Sequence, residues 1–591
     1  MTLQTPARTL AAVSLVLLGS GLHAPAQTIP SDAQQTCTVS PSTFAGWFAS
    51  GTPSVNGVVN PANSIAFQPS SNCAFFTWSE QMFLWLTSPT TAQYGGTGHI
   101  FDSNAFYQVV PGPNGTLRFL QNPSLTKLNF ALRAEKPGPN GLPIIFDKNN
   151  VRHEIVPTKL SAAGKPMLGG VEIAKASFDR SGRLLLLNKA GKPFKPNLSM
   201  LAAPNGQPSR VMKLIVNKKA VFVDANGNPI IPDQGQAGGG GVLISQSGSL
   251  VYYATFVNDV FAYFLTQIKN SNGGNTPPGQ QFPTTQQQLD SIVAYAAAHG
   301  VKFPDPDALA IETKTSWVDA ATLPNASQYV TVNAIVPTYN TSNPNKWTPN
   351  GTKSATLALV GIHVVGSATN HPEMIWSTFE HLGNAPNSAY SYVNLQGQIV
   401  NVPQDTSGAW LFCRMNCSAP FNDELAEYSA PNIVSPTGVT QPIGPSNTIR
   451  WHAWGAAYNT SPNADATSPQ SNSLVISINN SVMGQIPNGD IRKNYLFTGS
   501  TWTNSGVEPN NPFYGNPNPV PAPSFPPGNE IGTSQISNAS METYQQGTSD
   551  NTFGQYGNCF QCHNTTTATP PTTPSVQISH IWSSLQPLMV Q

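Results

Sequence analysis

The sequence has few charged side chains and no net charge. It contains 28 lysines and arginines and 28 aspartates and glutamates, so charged residues make up 9 % of the 591 positions, where about 25 % is usual in globular proteins. Charges that are both sparse and balanced produce no field that would attract a phosphate backbone or an anionic lipid surface. The composition therefore predicts no nucleic-acid partner.

Long apolar runs are also scarce. The clearest one covers residues 9–19, follows Arg8 and precedes the small residues of 24–26. It is shorter than the roughly 20 residues that a membrane-spanning helix needs, which argues against a membrane anchor, and its flanks are typical of a secretory signal peptide. We therefore expect residues 1–26 to be a signal peptide and the mature chain to be periplasmic or secreted, without a membrane span.

Cysteine is rare, and its six occurrences fall into three pairs along the chain: Cys37 with Cys73, Cys413 with Cys417, and Cys559 with Cys562. In an oxidising compartment the first two pairs are candidate disulfides. Cys413 and Cys417 could alternatively form half of a metal site or a redox-active thiol pair. No second Cys or Cys-His pair lies nearby to complete tetrahedral ligation, so a local disulfide is the favoured interpretation.

Most of the chain has the pattern of a β protein. Residues 106–264 contain short apolar runs separated by turn signals such as Asn226-Gly227, as in antiparallel sheet. Residues 355–365 are apolar on both faces, as in a central strand, so His363 is expected to be buried. The sequence thus predicts a mainly β (α+β) fold, with a large antiparallel β-rich body, a few packed helices and a small helical C-terminal segment.

Three segments have helical patterns. Residues 75–86 repeat apolar and aromatic side chains at helical spacing, and residues 285–299 form an amphipathic pattern that ends before Gly300. Residues 370–383 also predict a short helix, with Pro372 at its first position and a glycine at its end. We expect the apolar side chains of this third helix to face the core.

Changes in composition suggest how the chain is divided. Residues 27–500 are expected to form the β-rich body, with a subdomain boundary near 270–300. Residues 501–532 are dense in proline and asparagine, which is typical of an extended linker. Residues 533–591 then form a separate C-terminal segment.

One motif in that segment has a specific chemistry. Cys559-Phe560-Gln561-Cys562-His563 has the C-x-x-C-H spacing at which two thiols bond covalently to a haem and the histidine ligates its iron. A disulfide hairpin and a zinc knuckle are the alternatives. The motif predicts one haem c, held by Cys559 and Cys562, with His563 as the proximal iron ligand.

The sixth iron position has three candidates: His580 and Met589 downstream of the motif, and His363 in the predicted central strand. His580 lies off an apolar stripe, so an exposed side chain is its ordinary alternative. For His363 the ordinary alternative is a hydrogen-bonded core histidine. The residues from 559 onward are too few to enclose a haem, so we expect this segment to be docked on the body.

Five stretches of the chain resemble a family of secreted bacterial proteins that carry a single c-type haem motif near the C-terminus. They are residues 83–87 (FLWLT), 361–365 (GIHVV), 376–381 (WSTFEH), 559–563 (CFQCH) and 579–581 (SHI). The resemblance extends over most of the chain and implies a cytochrome-like protein, without implying a substrate.

Three functions are compatible with these observations. The favoured one is an exported electron-transfer cytochrome, whose partner would be a redox protein or a small electron donor or acceptor. The second is a haem enzyme, similar to a peroxidase or an oxygenase, that uses an open sixth iron position. The third is a haem-free secreted binding protein. Whether the chain is an enzyme is left open by the sequence, as is its oligomeric state.

Overall fold

The computed structural model of the chain describes residues 28–589 with gaps. The longer gaps are residues 130–143, 231–240, 456–466, 510–526, 547–558 and 564–575, and shorter ones lie between 113 and 228, between 415 and 440, and between 529 and 545.

The α-helices of the described part are α1 (Pro41–Trp47), α2 (Asn72–Leu86), α3 (Asp259–Ser271), α4 (Gln286–Ala298), α5 (Thr467–Gln485) and α6 (Cys559–Cys562).

The strands in chain order are β1 (Phe106–Pro111), β2 (Leu117–Gln121), β3 (Leu128–Asn129), β4 (Ile144–Phe146), β5 (Arg152–Val156), β6 (Lys159–Leu160), β7 (Pro166–Leu168), β8 (Val171–Glu172), β9 (Lys175–Phe178), β10 (Leu184–Leu187), β11 (Pro193–Phe194), β12 (Ser209–Val216), β13 (Lys219–Val223), β14 (Pro229–Ile230), β15 (Tyr252–Asn258), β16 (Ile311–Asp319), β17 (Thr331–Asn340), β18 (Lys346–Ala368), β19 (His371–His381), β20 (Tyr390–Val393), β21 (Ile399–Val402), β22 (Glu427–Ser429), β23 (Asn432–Val434), β24 (Tyr495–Thr503) and β25 (Glu530–Gly532).

One large sheet organises the molecule. Its main path runs β2-β1-β15-β16-β18-β19-β24-β25, with antiparallel neighbours throughout, and β17 and β23 pair with other parts of the long strand β18. Strands β4 to β14 form two three-stranded sheets, β6-β7-β8 and β9-β10-β11, and one five-stranded sheet with the order β14-β13-β12-β5-β4. The prediction of a mainly β fold with a few packed helices is confirmed.

Helix α2 covers one face of this sheet, which we call the inner face. The Ser79 and Ser377 hydroxyls are hydrogen-bonded at 2.6 Å, and the ring of Phe83 stacks on that of Phe379 with centroids 4.3 Å apart. Because α2 is packed on nearly all sides, its apolar residues do not follow a single stripe and most of them are buried. The helix predicted over 75–86 is confirmed, with three residues more at its start.

The helix predicted over 285–299 is confirmed as α4. Its first turn is closed by a capping box, in which the Thr285 hydroxyl accepts from the Gln288 backbone and the Gln288 side chain returns to Thr285. His299 is the C-terminal cap, and Gly300 follows with a φ of 73°. Glycine adopts this left-handed conformation without strain, which explains where the helix ends.

The helix predicted over 370–383 is wrong, because this segment forms β19. The strand is buried along its whole length between β18 and β24. Ile375 lies in the apolar cluster of the inner face, whereas Trp376 lies in the cluster of the opposite face, so apolar side chains are required on both sides. Pro372 is accommodated near the strand start, where the register with β18 is irregular.

The central strand predicted over 355–365 is confirmed as part of β18. His363 lies on it, opposite Thr378 of β19, and its side chain is 15 % exposed, so the ring is mostly but not fully buried.

Two cysteine pairs lie at the distance of a disulfide. The Cα atoms of Cys37 and Cys73 are 5.3 Å apart, and those of Cys413 and Cys417 are 5.6 Å apart, both within the usual range. These pairs fit an exported protein. The predicted signal peptide lies outside the described residues, and none of the helices in the described ranges is long and apolar enough to cross a membrane.

The segments into which the composition divides the chain can be located among the described strands and helices. The proline-rich segment 501–532 begins inside β24 and ends in β25, and its centre, 510–526, lies outside the described residues. Helix α3 ends at the start of the boundary region expected near 270–300, α4 lies within that region, and both helices contribute to one apolar cluster. The Asn226-Gly227 turn also lies outside the described residues, but the strands that flank it, β13 and β14, pair antiparallel.

Candidate functional site

The C-x-x-C-H motif lies on a short helical turn. Helix α6 spans Cys559–Cys562, and the backbone N–H of His563 donates to the carbonyl of Cys559 at 2.8 Å. Residues three apart in a helix lie on the same side, so positions 559 and 562 share one side of this turn, and His563 follows directly.

The imidazole of His563 is oriented by a backbone carbonyl. Its Nδ1 atom lies 2.9 Å from the carbonyl oxygen of Ile578, and because a carbonyl only accepts hydrogen bonds, Nδ1 carries the proton and donates. In the neutral ring the lone pair is then on Nε2. Histidines that ligate metals are held in this way, with the other ring nitrogen donating to a carbonyl or carboxylate.

Two rings enclose the imidazole of His563. Trp376 of β19 has its ring centroid 4.2 Å away, and the His580 ring stacks on His563 at 3.9 Å with an interplanar angle of 15°. Trp376 also packs against Phe560 of α6, with centroids 5.9 Å apart. The sheet therefore forms one wall of the site.

That wall belongs to the sheet face opposite α2, which we call the outer face. Val365 of β18 lies directly opposite Trp376 in the register, and both belong to the apolar cluster that contains the fully buried Phe560. On the next strand, Glu312 accepts a hydrogen bond of 2.7 Å from the Ser579 hydroxyl. Three neighbouring strands, β16, β18 and β19, thus contact the C-terminal segment.

An aromatic cluster fixes the end of the chain to the body. The fully buried Trp582 ring lies 5.7 Å from Phe261, 5.3 Å from Phe264 and 5.5 Å from Phe282, between centroids. Its indole N–H donates to Thr276 Oγ1 at 2.9 Å. The prediction that the C-terminal segment is docked on the body is confirmed.

A buried lysine adds a polar attachment. The Nζ atom of Lys269, in the last turn of α3, donates to the carbonyl oxygens of Trp582 at 2.8 Å, Ser583 at 3.2 Å and Leu585 at 2.6 Å. Burial lowers the pKa of Lys269 to about 8. These bonds hold residues 582–585 in place, close to the Ile578 carbonyl that orients His563.

A buried carboxyl group lies beside α6. Glu530 of β25 accepts a hydrogen bond from Thr501 Oγ1 at 3.2 Å and another from the backbone N–H of Phe560. Burial raises the pKa of Glu530 well above its usual range, and these two hydrogen bonds oppose the rise. The carboxyl group therefore joins the strand β25 to the C-x-x-C-H motif.

The three candidates for the sixth iron position lie in different surroundings. His580 is stacked face to face on His563, and Met589 is fully exposed. His363 is on the outer face, where its Nε2 atom lies 2.9 Å from Glu542 Oε1.

Two further histidines lie at the ends of β19, and each contacts neighbouring side chains there. His371 Nδ1 lies 2.9 Å from Glu373 Oε1, and its ring packs edge-on against Phe75 of α2. His381 stacks on Tyr329 with centroids 3.8 Å apart, and burial lowers the pKa of His381 to about 3.

Sequence reasoning missed three residues of the site. Trp376 stood out in the sequence only as part of the stretch 376–381, which resembles the secreted haem-motif family. Taken alone, a tryptophan in a strand is usually a core residue. Lys269 is a single basic residue at a helix end, where interaction with the helix dipole is its ordinary role. Glu530 is one carboxyl in a segment whose composition indicated a linker. None of these has a local sequence pattern.

No protein-family model, curated protein or solved structure matches this chain.

Proposed function

We propose that the chain is an exported c-type cytochrome that carries one haem and transfers electrons, as its resemblance to secreted proteins with a C-terminal haem motif implies. The observation that supports this most directly is the hydrogen bond from His563 Nδ1 to the Ile578 carbonyl. It selects the tautomer in which Nε2 can ligate iron, at the one histidine that the motif designates as ligand.

The residues around the motif fit a haem. Cys559 and Cys562 would hold it covalently and His563 would ligate its iron, while Trp376 and Phe560 provide apolar surface that excludes water. A haem bound in this way supplies reversible one-electron exchange. The chain itself orients the ligand through the Ile578 carbonyl and packs the rings of Trp376 and His580 against it.

Burial of the haem would explain why such a large body accompanies so short a haem segment. The C-terminal segment contributes Phe560, Trp582 and a few aliphatic residues to an apolar cluster, most of which comes from α3, α4 and the sheet. Shielding the cofactor is thus a role for the body that requires no substrate. Electrons would pass to or from a redox partner protein or a small donor or acceptor in the periplasm or outside the cell.

The test is expression with and without a cytochrome maturation system, followed by intact mass and absorption spectra. We expect the wild type to gain the mass of one haem and to show reduced and oxidised cytochrome spectra. A Cys559→Ala/Cys562→Ala variant should gain none. The matched control, Cys413→Ala/Cys417→Ala, also removes two cysteines but should keep the haem.

An unmodified mass for the folded wild type, made with the maturation system, would overturn the proposal. It would shift the assignment to a haem-free binding protein. A haem-loaded protein with a high-spin ferric spectrum and peroxide-dependent turnover would instead favour the enzyme over the electron carrier.

A further inference from the structure

The imidazole of His563 is packed between two flat side chains. His580 stacks on it with ring centroids 3.9 Å apart and an interplanar angle of 15°, so one face of the imidazole is covered. Non-bonded carbon atoms in contact are about 3.5–4.0 Å apart, which leaves no space for a second ring on that face. Trp376, whose ring centroid is 4.2 Å from that of His563, therefore lies on the other face. We call these two rings the enclosure of His563.

The enclosure matters because a histidine ring has little preferred orientation of its own. The torsion between Cβ and the imidazole has a broad energy profile, so the surroundings decide where the two ring nitrogens point. One restraint is the hydrogen bond from Nδ1 of His563 to the Ile578 carbonyl at 2.9 Å. A rotation of the ring would break this bond, and the two covering rings oppose such a rotation.

Trp376 is itself fixed in the sheet. It lies in the buried strand β19, it is 6 % exposed, and its indole N–H donates to the Glu373 carbonyl oxygen at 2.8 Å. Strand register and this hydrogen bond together keep the indole in place. The large sheet thus supplies one side of the enclosure.

His580 comes from the same short segment as the Ile578 carbonyl. Residues Val576–Ile578 form a 3-10 turn, and the backbone N–H of Ser579 donates to the Val576 carbonyl at 3.1 Å. The Ser579 hydroxyl donates to Glu312 of β16 at 2.7 Å. The acceptor for Nδ1 and the ring on the second face are therefore two residues apart, in a segment that the sheet holds.

The stacked position argues against His580 as the sixth iron ligand. An imidazole binds iron through a nitrogen lone pair that lies in the plane of its ring, and two axial ligands approach the iron from opposite directions. The His580 ring lies over the face of the His563 ring, beside it and not beyond its Nε2 edge. To reach the iron from the other side, His580 would have to leave the stack.

We propose that His580 is a positioning residue of the proximal ligand, and that it acts together with Trp376 by holding the plane of the His563 imidazole. The enclosure keeps the hydrogen bond to Ile578 in place, and that bond keeps the lone pair on Nε2. The effect on the iron rests on the proposed function. The orientation of the ring does not, because the contacts that produce it belong to the chain itself.

This positioning has an electronic consequence. A ligating histidine that donates from its other nitrogen to a carbonyl is a more basic ligand, and a more basic ligand stabilises oxidised iron relative to reduced iron. A ring that is free to turn makes the hydrogen bond for only part of the time. Loss of the stack should therefore raise the midpoint potential.

Three substitutions of His580 separate stacking from other roles. His580→Phe keeps a flat ring without nitrogens, His580→Gln keeps hydrogen-bonding groups without a ring, and His580→Ala removes both. In haem-loaded protein, checked by intact mass, we expect the midpoint potential to rise in His580→Gln and His580→Ala and to stay near the wild-type value in His580→Phe. The spin state should be that of the wild type in all three variants.

A second measurement needs no haem. In the Cys559→Ala/Cys562→Ala variant, NMR spectra of isotope-labelled histidine show, at a pH where histidine is neutral, which ring nitrogen carries the proton. The chain has 10 histidines, so the signals are few, and the one that disappears in His563→Gln belongs to His563. We expect the Nδ1–H tautomer alone, also after His580→Phe, but a mixture of tautomers after His580→Gln or His580→Ala.

His299→Ala is the control for both measurements. His299 is also half-buried, its Nδ1 atom lies 2.8 Å from the Tyr295 carbonyl, and its ring packs on that of Tyr295. It caps α4 and does not belong to the enclosure. Its removal should change neither the potential nor the tautomer of His563.

The outcomes separate the inference from the function on which it rests. The inference is overturned if His580→Phe behaves like His580→Ala, or if the tautomer of His563 is unchanged in His580→Ala. A change from low spin to high spin in all three variants would identify His580 as an iron ligand instead. A wild type without covalent haem overturns the cytochrome assignment, while the tautomer measurement still decides whether the enclosure orients His563.

Discussion

The Nδ1 atom of His563 lies 2.9 Å from the carbonyl oxygen of Ile578, 15 residues further along the chain. This hydrogen bond connects the C-x-x-C-H motif to the segment that the aromatic cluster and Lys269 fix to the body. The orientation of the imidazole therefore depends on how well residues 576–585 are docked.

Replacing His563 should loosen that segment even in protein without haem. His563→Ala removes one hydrogen bond and the ring contacts with Trp376 and His580, so we expect a loss of about 1–2 kcal/mol in local stability. Hydrogen–deuterium exchange of peptides covering 576–586 should become faster in this variant.

His299→Ala is the matched control for this exchange measurement. His299 Nδ1 makes the same kind of bond, 2.8 Å from the carbonyl of Tyr295, and its ring also packs on a neighbouring aromatic ring. Its removal should leave exchange in 576–586 unchanged. Equal acceleration in both variants would contradict a specific link between His563 and this segment.

Lys269 should contribute more to the free energy of unfolding than an exposed lysine does. Lys269→Met keeps the apolar stem but leaves the carbonyls of Trp582, Ser583 and Leu585 without their shared donor. Buried carbonyls without a partner are costly, so we expect the free energy of unfolding to fall by about 3 kcal/mol. Denaturant unfolding measures this directly.

The comparison for Lys269 is Lys302→Met, because Lys302 is exposed. An exposed lysine usually contributes less than about 0.5 kcal/mol. If the two substitutions cost the same, the three carbonyl contacts of Lys269 do not stabilise the C-terminal segment.

His381 should make the fold sensitive to acid. In the unfolded chain its pKa is the ordinary 6.5, whereas burial lowers it to about 3 in the folded protein. Between these values the unfolded state binds the proton and the folded state does not, so the contribution of His381 to stability is present above pH 6.5 and decreases as the pH falls toward 3.

His381→Gln tests this dependence. Glutamine does not titrate but can still accept the hydrogen bond that the Gly383 N–H donates to Nδ1 at 3.1 Å. Between pH 7 and pH 4.5 the wild type should lose about 2–3 kcal/mol more unfolding free energy than the variant. Parallel pH profiles for the two proteins would show that His381 is protonated equally in both states.

The sequence predicted a helix or strand correctly where the residues of that element alone specify its start, its periodicity and its end. The capping box of Thr285 and the glycine at 300 define α4 without help from the rest of the fold. In 370–383, by contrast, apolar residues at helical spacing were misleading, because a strand buried on both faces needs apolar residues at nearly every position. Which periodicity applies there is decided by β18 and β24.

The C-x-x-C-H spacing of Cys559, Cys562 and His563 can be recognised in the sequence, because it is a local property of one helical turn. The small number of apolar residues after position 559 likewise predicted that the short C-terminal segment packs on the body. Which residues meet there depends on the tertiary structure. The Ile578 carbonyl, the ring of Trp376 and the ammonium of Lys269 come together through strand register and side-chain packing between residues far apart in the chain, and such contacts leave no periodic signal in the sequence.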